Sequence, residues 1–599
     1  MTKSVTVCAC LILIAVVSTT IGPRAAFATE SELVKLASAK FPNLTKCERA
    51  ILLYADRRTT DHGNEPACGP NHDDRDPAND PSKAKNWSHD RDVRAELIRW
   101  LFVEPEASKQ IDPSGVAAYG ARIVGSIDLD VIVSPFPLRL IRSSIPETIN
   151  LEFAEIGNVV LDGSRTGEII AAGSHIHGNV SLCCGFESSG AVVFGNARIG
   201  NDFDCHGGSF HYSERELDDR FAYEKPALFL GAARVEGPIW LSSGFRADGA
   251  VDINGAICTA LICSGSHFRN PGNIALNASG IADSGLAILS GTGTGNETDA
   301  EGLIQFDAGK IGGYFVAVAL KLLGKPDQQH GLSAHGMSVG QAFVWQHVVL
   351  QNGATLDLRA TTANGLVDDE GSWPQAGRLA IEGFQYGVIY SGLTDSRSRL
   401  RWIGLDSDPR PPWLANMPVG FRPGPYRELA RVLRNSGDEA GARTVLMAQE
   451  DARYRSRGPL ERLWGVILKW TIGYGHQPTR AIGWSFAVVM LGWLMVSLGA
   501  RAGVMAPTFP ENRPPDYDKS YEILHPFLYS LDVFLPFVNL HQEHYWWPDA
   551  TKSGTAKAFS FSLSCNGSLL RYYLWAQIIA GWLLSAIFVA GVTGLVRND

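Results

Sequence analysis

The stretch Gly178–Phe210, GNVSLCCGFESSGAVVFGNARIGNDFDCHGGSF, decides the fold, because it starts again at Gly237–Phe268 as GPIWLSSGFRADGAVDINGAICTALICSGSHF. Leu182/Leu241, Gly185/Gly244, Phe186/Phe245, Gly190/Gly249, Val192/Val251 and Ala197/Ala256 stand 59 positions apart, and Cys205/Cys263 and Phe210/Phe268 stand 58 apart. Between the copies lies a charged run, HYSERELDDRFAYEKP (211–226), that is out of pattern. Without its 16 residues the interval is 42 or 43, two units of about 21. Other stretches, such as YGARIVGSIDLD and LRLIRSSIPETINLEFAEIG, follow the same rule: short alternating apolar strands ended by Gly, Ser or Asn.

Short strands at that period, with glycine corners, mark a stacked architecture in which each unit buries its face on the next. Helical repeats would need longer apolar stripes of period 3.6, which this segment lacks. The expectation is therefore a mainly β chain: a right-handed parallel β-helix over residues 115–405, a solenoid of about 21 residues per coil that buries alternate side chains. Insertions such as 211–226 would hang from one corner. The run SGTGTGNETDAEG (290–302) marks degenerate coils between residues 275 and 330, where the body is expected to bulge.

The flanks differ in kind. Residues 1–28 read as a signal peptide, with Lys3, an apolar run from Val5 to Val17 and Ala26-Phe27-Ala28 at the cleavage site; an uncleaved anchor is the alternative. Residues 29–114 form a helical cap and polar loop, since DVRAELIRWLFVE (92–104) sets Val93, Leu97, Ile98 and Leu101 at helical spacing. A helical hairpin neck at 423–457 breaks at Ser436-Gly437. Residues 458–480 form an interfacial amphipathic helix and turn carrying Leu463, Trp464, Ile467 and Leu468. Two apolar runs, 481–500 and 572–596, are long enough to cross a bilayer, with residues 501–571 as the loop between them. Trp484, Trp493, Trp575 and Trp582 suit membrane helices and their interfaces. A net charge of −9 over 599 residues, without a basic run, argues against a nucleic-acid surface.

Several residues are candidates for chemistry. Cys47 and Cys68 flank a polar loop and suit a disulfide in an oxidising compartment. Cys184 and Cys205, 21 apart, would stack on adjacent coils about 4.8 Å apart, within reach of a second bridge; a row of buried thiols is the simpler reading. Cys183-Cys184 is a redox candidate without a C-x-x-C motif or a cofactor loop. Asp202, Asp204 and Asp252 are candidates for the paired carboxylates of a glycan-cleaving site. Asp532, His541, Glu543 and His544 carry metal-binding side chains, but H-x-E-H has no second motif, and an interfacial or re-entrant aromatic segment is the better use of that loop. Thr471-Ile472-Gly473-Tyr474-Gly475 is one residue from a potassium-channel filter, yet residues 430–460, where an outer helix should lie, are rich in charge; the pentamer reads as a glycine turn.

The runs VRAELIRWLFVEPEASKQIDPSGVAAYGARIVGSIDL (93–129), PGPYRELARVLRNSGDEAGARTVLMAQE (423–450), RLWGVILKWTIGYGHQPTRAIGW (462–484) and YSLDVFLPFVNLHQEHYWWP (529–548) resemble a family of uncharacterised bacterial membrane proteins. Its members are loosely labelled pentapeptide-repeat-like proteins or "membrane-associated oxidoreductase". The resemblance covers nearly everything after residue 90 and implies a β-solenoid body with two C-terminal spans. It carries over no catalytic residue, and no dinucleotide loop, haem motif or metal constellation supports the oxidoreductase label.

The expected function is a membrane-anchored scaffold of the bacterial cell envelope, with membrane lipid and a protein or polysaccharide as partners and no cofactor. The alternatives are an oligomeric two-span channel or sensor, and an envelope polysaccharide-active or redox enzyme. The signal segment places the body outside the cytoplasm as part of a multi-pass inner-membrane protein. Arg453, Arg455, Arg457, Arg462, Lys469 and Arg480 beside the first span argue the opposite orientation.

Overall fold

The computed structural model describes residues 31–59, 65–211, 226–291, 297–324, 331–390, 393–406, 421–477, 479–508, 523–558 and 561–593. The expected signal segment, most of the 211–226 insertion and the end of the chain lie outside these residues.

Between Asp92 and Ile389 the described residues build two parallel sheets, one of 20 strands and one of 17. The strands are short, many of them only two residues, and the chain moves back and forth between the sheets. In the larger sheet Ile127 pairs with Ile149, Ile149 with Ile169 and Ile169 with Val192. In the other, Leu138 pairs with Val159, Val159 with Val180, Val180 with Phe203 and Phe203 with Ile239. Each of these residues is fully buried, while its strand neighbour is in most cases partly exposed. This is the period-two alternation of a sheet with one covered face, and β-branched side chains suit it because they pack well against a pleated surface.

The corners have their own signature. Phe153, Gly163, Gly173, Cys184, Asn196 and Gly207 all adopt positive φ, between 53° and 65°. They recur every ten to twelve positions, so the chain turns left-handed between the sheets at regular intervals. Glycine enters that region without steric cost, and Asn more readily than most residues, which explains their placement at corners.

Aromatic side chains fill the interior. Phe186, Phe210, Phe245 and Phe268 are fully buried and follow one another with ring centroids 5.4, 5.2 and 5.7 Å apart. Farther along, Phe306, Phe315 and Phe343 continue at 5.1 and 5.0 Å. Each such pair contributes about 0.5–1.5 kcal/mol beyond its burial.

Two boundaries differ from expectation, and the irregular stretch after residue 275 keeps its pairing. Asp92–Arg94 is a strand paired with Arg122–Val124, and the helix begins only at Ala95, running to Val103. Glu48 explains the break: its carboxylate accepts the Arg94 backbone amide at 3.1 Å as well as the Arg94 side chain. The strands stop at Ile389, and a helix, Ser396–Ile403, follows where strand had been expected to 405. Between 275 and 330 the pairing continues, Leu276 with Ile304 and Ile304 with Leu332. The extra residues there go into longer strands, such as His267–Asn277, and into register shifts around Ile274.

Both ends of the sheets are covered. Helices Glu32–Lys40 and Lys46–Ala55, the second opened by a capping box of Thr45 and Glu48, set Leu33, Ile51 and Leu52 into the same core as Val116 and Leu138. At the other end helix Gly424–Asn435 lies against the last strand, Gln385–Ile389. There Glu428 accepts the Tyr386 amide at 2.8 Å and Arg431 donates to the Tyr386 carbonyl at 3.0 Å. Two side chains thus satisfy an edge strand that would otherwise be open to pairing.

Helix Glu439–Arg455 follows after Gly437, then Pro459–Ile472. Gly473 and Tyr474 both take left-handed φ of 56° and close that helix. Tyr474 stacks on Tyr454 and donates to Asp451 at 2.8 Å, so the filter-like pentamer is a packed helix stop rather than an extended row of carbonyls. Thr479–Arg501 and Gly567–Val592 are long and apolar enough to cross a membrane, the second starting earlier than the expected residue 572. Helix Pro526–Phe534 packs against both.

Candidate functional site

One corner of the 17-stranded sheet gathers the reactive side chains. Val180–Ser181 pairs with Phe203–Asp204 at a step of 23 residues. That step sets Leu182 beside Cys205 on the buried side, and the next positions, Cys183 and Cys184, beside His206. The left-handed Cys184 belongs to a stack of corner residues, because Gly163 donates to the Cys183 carbonyl at 2.9 Å and Cys184 to the His206 carbonyl at 3.0 Å.

The geometry there is specific. Cys183 and Cys184 are joined as a vicinal disulfide; Cys183 is buried and Cys184 exposed. His206 Nε2 lies 3.5 Å from Cys184 Sγ, and its Nδ1 lies 2.7 Å from Asp204 Oδ1. Asp204 Oδ1 also accepts the His206 amide at 3.0 Å, which fixes the ring. One strand away, Asp162 accepts from the Ser181 hydroxyl and from the Cys183 amide. Burial pushes the Asp162 carboxyl above the usual carboxylate range, against the pull of those two hydrogen bonds.

The expected Cys184–Cys205 bridge is not made, and the local step explains why. At 23 residues rather than 21, Cys205 stands next to Leu182 on the inner face, while Cys184 faces outward next to Cys183. Cys205 and Cys263 are buried free thiols of one inner column, separated by Leu241, and burial pushes both thiols well up, away from ionisation. Cys47 and Cys68 are joined as a disulfide, with Cα atoms 4.8 Å apart.

The three aspartates singled out in the sequence do not converge. Asp204 holds His206, and Asp202 accepts from the Trp240 indole at 3.4 Å. Asp252 lies in the other sheet, buried, with its Oδ1 bonded to Asn254 and Asn277. In the loop before the second apolar helix, Asp532 accepts the amides of Leu540 at 2.6 Å and Glu543 at 3.1 Å. It braces that loop while His541 and His544 sit near each other, ring centroids 6.2 Å apart.

Two further places escaped sequence reasoning. A groove of about 400 Å³ runs across the larger sheet, with Gln305, Asp307, Ser333, His335, Asp357 and Arg359 set among Leu303, Leu332 and Leu356. Asp307 accepts from Gln305 at 2.7 Å, from Ser333 and from the His335 amide at 2.9 Å, and Asp357 receives Arg359 Nε at 2.9 Å, so the lining is preorganised. These positions stand 24 to 28 apart in the chain, and only the strand register brings them together. The second place lies among the apolar helices: Gln577 donates to the Ser530 carbonyl and hydroxyl, both at 2.9 Å, and Ser530 donates to the Val489 carbonyl at 2.7 Å.

Compared with protein-family models, curated proteins and solved structures, the chain shows no match.

Proposed function

We propose that this chain is a membrane-anchored parallel β-helix of the bacterial cell envelope that binds an extended polymer, protein or polysaccharide, along its side. The observation that carries the reading is the groove over Gln305–Asp307, Ser333–His335 and Asp357–Arg359: Gln305, Ser333 and Asp357 end parallel strands about 4.8 Å apart, and Asp307, His335 and Arg359 lie in the turns that follow. Such a row matches a ligand that is itself repetitive and polar. The long succession of registers from Ile127 to Ile389 supports a single winding rod, and its hand is right-handed, as in about 98% of parallel crossover connections. The two apolar helices supply the anchor, and the expected signal segment puts the rod outside the cytoplasm.

The test is co-sedimentation of the detergent-solubilised full chain with insoluble envelope polysaccharide and with envelope protein. Arg359→Ala and Asp357→Asn should weaken retention at least tenfold without change in circular dichroism. Turnover of the bound polymer, or retention indifferent to both substitutions, overturns the reading.

A second reading, a two-span channel or sensor, draws on the buried Ser530–Gln577 pair, a polar contact set among the apolar helices. Ion flux in vesicles that is lost on Gln577→Leu would favour it over the scaffold.

A further inference from the structure

We propose that the dithiol form of Cys183-Cys184, with His206, is a binding site for a borderline-soft divalent cation of the zinc class. This does not rest on the binding function above. The two sulfurs and the imidazole nitrogen lie within 4.8 Å of one another. A tetrahedral zinc with Zn–S of about 2.3 Å and Zn–N of about 2.0–2.1 Å needs sulfur and nitrogen about 3.5 Å apart. Cys184 Sγ and His206 Nε2 are already at 3.5 Å. The sulfur–sulfur bond has to open and the two sulfurs have to separate to about 3.8 Å, their spacing on a tetrahedral zinc.

The second observation is independent of the sulfurs. Asp204 Oδ1, 2.7 Å from Nδ1, holds that nitrogen as the protonated one and leaves the Nε2 lone pair facing the cysteines. This is the carboxylate–histidine–metal arrangement that orients ligating imidazoles. Exposure of Cys184 gives the ion a way in and leaves a fourth position for water or a partner's ligand. The chemistry balances in two steps. A dithiol or phosphine reductant supplies two electrons, the S–S bond breaks, and each sulfur takes up a proton. Binding M²⁺ then releases both protons and leaves two thiolates and a neutral imidazole on the ion. Oxidation removes two of the three ligands, so occupancy follows the redox state.

The experiment uses the full chain in detergent on a Cys565→Ser background, reduced with a phosphine, desalted and titrated with Zn²⁺ and Co²⁺. Expected are one ion per chain and a thiolate-to-cobalt absorption band, both lost in Cys184→Ser and in His206→Ala. Asp204→Asn should weaken affinity about 10–100-fold. A His175→Ala/His177→Ala variant, which removes the exposed Glu155–His175–His177 cluster, should bind as the parent does. Should Cys184→Ser fail to fold, protection of Cys183 and Cys184 from alkylation by Zn²⁺, read by mass spectrometry on the parent, replaces it. No retention by the reduced protein, binding that survives loss of Cys184 and His206, or equal binding by the oxidised protein overturns the proposal.

Discussion

Arg399 and Asp368 face each other at 2.6 and 2.8 Å in a bidentate pair that is almost completely buried, with Trp373 donating to the same carboxylate at 2.9 Å. Removing one partner leaves the other charged and desolvated. Arg399→Met should therefore cost about 3–5 kcal/mol, whereas Arg399→Met with Asp368→Leu should cost clearly less; thermal unfolding of the solubilised protein compares the two. Glu48 poses a pH question. Burial alone would raise its carboxyl, but the hydrogen bonds and charge of Arg94 and the Thr45 amide together hold it below its ordinary value of 4.5. A depressed folded pKa gives stability that is present above 4.5 and is lost as pH falls through the folded value. Glu48→Gln should lower the melting temperature at neutral pH, and the gap from the parent should close as the solution is acidified below pH 4.5. A gap that stays constant with pH would refute the assignment.

Among elements, the stacked phenylalanines carry the interior. Phe245 sits fully buried between Phe210 and Phe268, so Phe245→Ala should cost about 3–5 kcal/mol. Tyr314→Ala, at a side chain 49% exposed, should stay within about 0.5 kcal/mol. The covering helix matters differently. Glu428→Ala strands the Tyr386 amide at the sheet edge and should cost about 1–3 kcal/mol. The freed edge should also show as concentration-dependent association in light scattering. If the variant stays monodisperse and fully stable, Glu428 is not protecting that edge.

At the scale of the whole molecule, the signal segment and the arginines before the first apolar helix predict opposite orientations for the proposed anchor. An alkaline-phosphatase fusion at Gly437, an exposed break between two helices, should be active if the signal segment governs export. It should be inactive if the arginines before the first apolar helix govern instead. The same experiment fixes the compartment whose thiol poise acts on Cys183-Cys184.

The amino-acid order alone determined the parallel sheets and the apolar helices, because burial of every second residue and runs of about twenty apolar residues are local patterns. Leu182, Phe186 and Val192 with their partners 59 positions on could be read without coordinates. What only the tertiary structure decided is which side chains meet across strands. A unit of 23 residues instead of 21 places Cys205 beside Leu182 and His206 beside the adjacent cysteines, and the same register assembles a groove from residues scattered over 300–380. Unit lengths vary from one to the next, so which side chains meet is set by the backbone pairing rather than by a fixed period, even where both partners, such as Val180 and Phe203, lie in one short stretch. The helix stop at Gly473 belongs to both: its glycines were legible, but Tyr454 and Asp451, which hold Tyr474 in place, come from another helix.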